Sequence, residues 1–183
     1  ICDTVNSKLY KNDRAILHSD CNCFYASVEC LLNPNIRDLP VAVSGDAENR
    51  HGIILAKNEE AKKYNIKTGE AIWQAKKKCP QLLTVPARLD VYKKFSDKVR
   101  RIYSDYTDMV EPFGLDEAWL DISEDYKNDA HTIAKEISQR VKDEIGITVS
   151  IGVSFNKIFA KFGSDYKKRD AITSFTRDYV KTL

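Results

Sequence analysis

Three acidic side chains stand where a folded chain could bring them together. Asp20 closes the apolar run Ala15-Ile16-Leu17-His18-Ser19, just before a helix entry at Cys23-Phe24-Tyr25. Asp116 and Glu117 lie between two apolar segments and are followed by Ala118-Trp119-Leu120-Asp121. Each has an ordinary explanation: an Asp before a helix is commonly its cap, and adjacent acids are commonly a solvated turn. Neighbours in a regular strand face opposite ways, so Asp116 and Glu117 share a site only if Asp116 sits in the turn itself. If the two strands are neighbours, the three carboxylates converge at one sheet end. Such oxygen ligands suit hard divalent cations such as Mg2+, and a pair of ions about 3.5–4 Å apart stabilises attacking and leaving oxygens in phosphoryl transfer.

Polyphosphate chemistry also needs cations from the protein. The 183 residues carry a net charge of only +2, which gives no whole-chain signal of a nucleic-acid or membrane-surface binder. The total hides an asymmetry. Residues 157–183 hold Lys157, Lys161, Lys167, Lys168, Arg169, Arg177 and Lys181 against Asp165, Asp170 and Asp178, for +4, and the rest of the chain is −2. Lys157, Lys161 and Lys168 lie on or just after a helix that follows a core strand, which makes them better phosphate candidates than Lys76-Lys77-Lys78, a run that reads as a solvated face.

At 43% hydrophobic and 31% charged, with 7 Gly and 5 Pro, the chain is an ordered globular one, long enough to bury a core without disulfides. Its five cysteines, Cys2, Cys21, Cys23, Cys30 and Cys79, are odd in number and lack CxxC spacing, which suits a reducing compartment. His18, Cys21 and Cys23 imitate zinc ligands, but a CxC pair without a second pair does not close a tetrahedral site. No apolar run reaches the ~20 residues of a membrane span, and the start lacks the basic-then-apolar order of a signal peptide. The expectation is a cytoplasmic protein with no membrane partner.

The elements that must position these residues follow from periodicity. A strand at 15–20 runs into a helix carrying Phe24, Val28, Leu31 and Leu32, stopped by Asn33-Pro34. Strands at 40–44 and 53–56 suggest a hairpin around the turn-rich 45–52. Two helical patches at 58–64 and 70–79 precede a strand at 82–85, then an amphipathic helix spans 90–106. Strands at 109–113 and 117–122 flank Gly114-Leu115-Asp116. A helix with Ile133, Ala134, Ile137, Val141 and Ile145 on one face closes at Gly146, before a strand at 147–153 and a basic helix at 156–166. The reading is α+β: a ferredoxin-like split βαβ palm from 15–31 and 90–175, with 32–89 inserted as a smaller α/β unit, an N-terminal arm at 1–14, and 176–183 beginning something further.

Three ordered motifs resemble those of the Y-family lesion-bypass DNA polymerases, most nearly the bacterial DNA polymerase IV type. They are His18-Ser19-Asp20-Cys21-Asn22-Cys23-Phe24-Tyr25-Ala26-Ser27-Val28-Glu29, Gly114-Leu115-Asp116-Glu117-Ala118-Trp119-Leu120-Asp121, and Ser150-Ile151-Gly152-Val153-Ser154-Phe155-Asn156-Lys157 through Lys161 and Ser164-Asp165. The resemblance implies a palm with fingers at 32–89 and the start of a thumb at 176–183. It implies a template-directed polymerase of the translesion type that joins a dNTP to a primer 3′-hydroxyl using two Mg2+ ions, for which Mn2+ can substitute. Asp20, Asp116 and Glu117 match the side-chain metal ligands and the Cys21 carbonyl a backbone ligand, with Asp116 and Glu117 catalytic. Cys23, Phe24 and Tyr25 match the amides that meet the triphosphate, Lys62 a fingers cation and Lys168 the triphosphate-binding Lys. Tyr25 matches the aromatic that excludes a ribose 2′-hydroxyl. The implied partners are primer-template DNA and dNTP, with a sliding clamp reached only through a region outside this segment.

The chain departs from the family pattern in places. Asn22 stands where many members have a second Asp. Ala56, Glu59 and Lys62 stand where Thr, Tyr and Arg are frequent, so Glu59 opposes a triphosphate, Lys62 loses bidentate geometry, and Lys57 is a compensating candidate. Arg169 replaces the Pro after Lys168. No thumb or little finger that grips the duplex is in this segment, so the chain alone is expected to extend primers poorly or not at all. Two other readings share these residues: a non-catalytic nucleic-acid-binding or docking fragment, and a palm-fold nucleotidyl cyclase, for which no Gly-Gly-Asp-Glu-Phe-like signature is present.

Overall fold

The computed structural model describes residues 13–45, 52–124 and 130–182. The expected arm at 1–14 therefore falls almost wholly outside the described residues, as does most of the turn at 45–52. The chain divides into two units, one of residues 1–22 with 96–183 and one of residues 23–95.

The first unit is built on a five-stranded sheet in the order β5-β6-β1-β7-β8. Its central strand β1 (Ile16–Cys21) is buried along its whole length. It pairs antiparallel on one side with β6 (Glu117–Asp121) and on the other with β7 (Val149–Ser154). β5 (Val110–Phe113) forms a hairpin with β6, and β8 (Ile172–Phe175) runs parallel to β7. This is the expected palm-type sheet with one addition. Ile172-Thr173-Ser174-Phe175 has too little apolar alternation to announce a strand, and only its parallel pairing with β7 creates one.

Alternation along β1 sends its side chains to opposite faces. On one face the Ser19 hydroxyl accepts a hydrogen bond from the buried Tyr103 of α4 (Leu89–Ser104) at 2.8 Å. On the other face His18 and Asp20 lie beneath α6 (Lys157–Tyr166), whose first turn is capped by Asn156 accepting from the Phe159 amide at 2.9 Å. Gly152, beside His18 in the register, is why α6 can come so close. A Cβ there would lie 1.8 Å from the carbonyl oxygen of Ala160. α5 (Ala130–Ile145) buries the predicted Ile133, Ala134, Ile137 and Val141 and ends at Gly146, whose φ is +88°.

The second unit has a three-stranded sheet in the order β3-β2-β4, with β2 (Val41–Ser44) antiparallel to β3 (Ile54–Lys57) and parallel to β4 (Leu83–Pro86). Ala42, Ile54, Ala61, Ile66, Ala75, Cys79 and Leu82 form its core. α1 (Phe24–Leu32), a 3-10 turn at Pro34–Ile36, α2 (Glu59–Lys62) and α3 (Ile72–Lys78) complete it. α3 begins later than its periodicity suggests. The Glu70 carbonyl accepts from the Ile54 amide at 2.9 Å and Ala71 bridges Ile53, so this stretch serves the sheet before the helix starts. In the basic end, α7 (Arg177–Val180) is capped by Thr176.

Gly152→Ala forces α6 off the sheet, because the obstructing atoms are backbone and cannot rotate away. The expected loss is about 3 kcal/mol or more of unfolding free energy, checked by chemical denaturation followed by circular dichroism.

Candidate active site

The sheet register brings the predicted acids together in the first unit. Asp20, the fifth residue of β1, lies directly opposite Glu117, the first residue of β6. Asp116 sits in the turn after Gly114, whose φ of +68° is open to glycine at little cost. The Asp116 carbonyl accepts from the Cys21 amide at 2.9 Å, fastening that turn to the end of β1. Asp20 is not a helix cap. The N-cap position of α1 is Cys23, in the left-handed region at φ 50°, and no side chain caps the helix.

The acids strain against one another. Burial holds the Asp20 carboxyl above its usual range, the bond from Lys168 offsets part of that, and Glu117 and Asp165 add to it. Asp116 is likewise pushed up, first by burial and then by Asp20, with Glu117 adding to the effect. Acids in an ordinary solvated turn would not be shifted this way.

Lysines answer the charge. Lys168 Nζ bonds to Asp20 Oδ2 and lies 3.0 Å from Asp165 Oδ1. Burial works against the Lys168 ammonium, yet its bond to Asp20 leaves its pKa raised. Lys161 Nζ donates to Glu117 Oε2 at 2.5 Å. Lys157, the third candidate, turns to Glu111 at 2.6 Å and lies 4.5 Å from the centre of the Trp119 ring. The turn after Lys168 is unlike one that a proline could make. Arg169 has φ +83° and Asp170 φ +51°, whereas proline is fixed near −65°.

Two residues join the site that sequence reasoning did not assign to it. His18 is fully buried, with Nε2 3.1 Å from Glu117 Oε2 and Nδ1 2.7 Å from Ser164 Oγ. The Ser164 hydroxyl donates to the Lys161 carbonyl at 2.8 Å, so His18 and Ser164 join Glu117 to the backbone of α6 in one chain of polar contacts. The signal was present in the sequence, because a side chain two residues before Asp20 on a strand must share its face. The imitation of a zinc site dissolves: both nitrogens of His18 are engaged, and burial pushes the Cys21 thiol up.

Among the described residues no three His, Cys, Asp or Glu side chains already converge as a metal cage. Asp20 and Glu117 are instead turned to Lys168 and Lys161. The donor chemistry nonetheless fits a hard divalent ion. The converging groups are carboxylate oxygens, two of them destabilised as anions by burial and by each other, and a cation relieves both effects.

The remaining candidates belong to the second unit. Cys23 Sγ donates to Glu59 Oε1 at 3.2 Å, and the same oxygen accepts from Lys62 Nζ at 2.8 Å. Burial works against the Lys62 charge, but the bonds to Glu59 and Cys23 keep its pKa raised. The departure at Glu59 thus comes with an ion pair that occupies Lys62. Lys57 donates to Thr68 at 3.1 Å, and its pKa is lowered, first by burial and then by Lys62. Phe24 is buried, and Tyr25 is half-buried and stacked on Tyr92, with ring centres 4.3 Å apart and planes 13° from parallel.

An antiparallel-centred sheet with a helix on each face, acids in register at one end and lysines leaning onto them, defines a palm of the polymerase type. The comparisons agree. The model of the IMS: impB/mucB/samB family matches residues 19–165. DNA polymerase IV of Acetivibrio thermocellus is 59% identical over 170 residues, covering 92% of this chain and 43% of that protein. A Y-family DNA polymerase chimera superposes with a TM-score of 0.88 at 28% identity, covering 92% of this chain and 50% of its own. The insertion ternary complex of Dbh DNA polymerase gives 0.87 at 28% identity, with the same coverage. The chain belongs to the impB/mucB/samB family, that of the Y-family DNA polymerases, and spans about half the length of the relatives it matches. Y-family DNA polymerases generally use divalent metals. No helix among the described residues is long and apolar enough to cross a membrane.

His18 gives the site a pH signature. Burial, and next Lys161, lower its pKa from 6.5 to about 4. Between those values the unfolded chain binds a proton that the fold refuses, so stability falls as pH falls through this window, by up to about 3 kcal/mol. Asp20 and Asp116, with raised pKa values, act in the opposite sense. The His18→Gln variant isolates the histidine: the stability advantage of the wild type over the variant shrinks from about pH 7 to pH 4, measured by urea denaturation across that range.

Proposed function

We propose that this chain forms the palm and fingers of a template-directed DNA polymerase of the translesion type, adding a dNTP to a primer 3′-hydroxyl in DNA damage tolerance. In this reading residues 15–31 and 90–175 are the palm, 32–89 the fingers, and 176–183 the start of a thumb. One observation carries it: Asp20 and Glu117 are register partners on adjacent strands, Asp116 lies in the turn beside them, and Lys168 and Lys161 are already bonded to the acids.

Asp20, Asp116, Glu117 and the Cys21 carbonyl would hold two Mg2+ ions, or Mn2+ in their place. Such ions supply Lewis acidity for the primer hydroxyl and charge neutralisation for the departing pyrophosphate. The chain's own residues do the rest. Lys168 is a point charge that exchanges the Asp20 carboxylate for the β and γ phosphates. The amides of Cys23, Phe24 and Tyr25, at a helix start without a side-chain cap, suit phosphate oxygens. Lys62 adds a cation once the triphosphate competes with Glu59 for it. The Tyr25 ring excludes a 2′-hydroxyl by collision, so ribonucleotides are rejected without a lost hydrogen bond. Primer-template DNA and dNTP are the proposed partners, in keeping with the ternary complex among the structural neighbours. A sliding clamp is a proposed partner of a region outside this chain, and the proposed setting is the cytoplasm.

Mg2+-dependent binding of a dNTP, followed by calorimetry, is expected to disappear in Asp116→Ala and in Glu117→Ala. Binding that is indifferent to both changes makes the acids merely structural and points to a non-catalytic nucleic-acid-binding fragment. A cyclic product from one nucleotide without template points to the cyclase.

Lys168→Met provides a second check. It removes the cation competing for Asp20, and because that lysine is part-exposed the competition is modest. Mn2+ binding without nucleotide should tighten roughly threefold to tenfold, read by electron paramagnetic resonance.

A further inference from the structure

Glu29 is a carboxylate on the buried side of α1, 3% exposed, within a stretch otherwise occupied by Phe24, Ala26, Val28 and Cys30. A charge placed there must be fully answered. Arg88, just ahead of α4, answers it with both arms of its fork: Nε donates to Oε1 at 3.0 Å and Nη2 to Oε2 at 2.5 Å. The hydroxyl of Tyr92, a side chain with no exposure, donates to the same Oε1 at 2.7 Å. The bidentate pair fixes the plane of the carboxylate, and the carboxylate then fixes the phenol. The Tyr92 ring lies nearly parallel against Tyr25, and Phe24 packs its edge at 6.5 Å from the same ring. All of these residues belong to the second unit.

Exclusion by collision works only as well as the colliding ring is held. A ring able to retreat relaxes the clash with a 2′-hydroxyl and admits the ribonucleotide. Tyr92, against which the Tyr25 ring is stacked, is held at each end: a hydrogen bond to Glu29 behind and the Tyr25 face in front. We propose that Glu29, Arg88 and Tyr92 are positioning residues that set the sugar selectivity of the site, by fixing the plane against which Tyr25 stands. This rests on the reading of Tyr25 as the sugar-excluding side chain. The ligand class is nucleoside triphosphates differing only at the 2′ position.

The test is competition binding of dATP and ATP to this chain in Mg2+, with Tyr25→Ala, Tyr92→Phe and Glu29→Gln compared with wild type. Tyr92→Phe keeps the stacked ring and leaves Glu29 paired with Arg88, so the fold survives, as circular dichroism will verify. The expected result is a fall in the dATP-over-ATP preference of roughly threefold to tenfold, arising from tighter ATP binding rather than weaker dATP binding. Glu29→Gln keeps an acceptor for the phenol but weakens the hold of Arg88, and is expected to fall between wild type and Tyr92→Phe. Tyr25→Ala is expected to lose the most preference. If Tyr25→Ala loses the preference while Tyr92→Phe and Glu29→Gln keep it, the positioning role is wrong. Equal weakening of dATP and ATP in Tyr92→Phe also overturns it, since that is the mark of a structural residue. If Tyr25→Ala keeps the preference, the reading of Tyr25 itself fails.

Discussion

Negative charge gathered at one end of a partly buried sheet is the constraint around which the first unit is organised. Asp20 and Glu117 face each other across β1 and β6, with Asp116 in the adjoining turn, and two of the three are driven above the usual carboxylate range. Such an arrangement is unfavourable unless something positive compensates it. Here Lys168 and Lys161 do so, each from α6 or just beyond its end. The close seat of α6 over Gly152 is therefore part of the site, since it sets how far those lysines must reach.

The same logic bears on the proposed cation site, which it suits to transient rather than permanent cations. On the proposed reading, a lysine bonded to one of these carboxylates would compete with a metal ion, and a triphosphate would compete with the carboxylate for that lysine. The three binding events would then be linked, and binding that relieves one partner would assist the other. Glu59 and Lys62 form a similar pair in the second unit, where an acid at a position expected to harm phosphate binding instead bonds to a lysine. The departures from the family pattern at Glu59 and Arg169 are thus accommodated locally, by an ion pair in one case and a left-handed turn in the other.

Much of this was legible in the sequence because it is local. The strands at 15–20 and 117–122, the tight Gly114 turn and the amphipathic helices announce themselves by period and by turn chemistry. The three acids could be placed once the strands were assumed to pair. What stayed hidden depends on partners far along the chain. Ser164 meets His18 across 146 positions, and Arg88 and Tyr92 meet Glu29 across 59 and 63. β8 exists only because β7 offers an edge, and α3 starts late because Glu70 and Ala71 are claimed by β3 and its approach. Glu29 still left a trace: an acid on the apolar side of a helix implies a partner, though not which one.

The central claim is that Asp20, Asp116 and Glu117 form a cation site guarded by lysine until a triphosphate arrives. Anomalous diffraction from crystals of this chain soaked in Mn2+ with a deoxynucleoside triphosphate tests it most directly. The account predicts manganese bound by these three carboxylates, with Lys168 withdrawn from Asp20 and turned to the phosphates. Manganese bound elsewhere, with the Lys168–Asp20 pair intact, would contradict it.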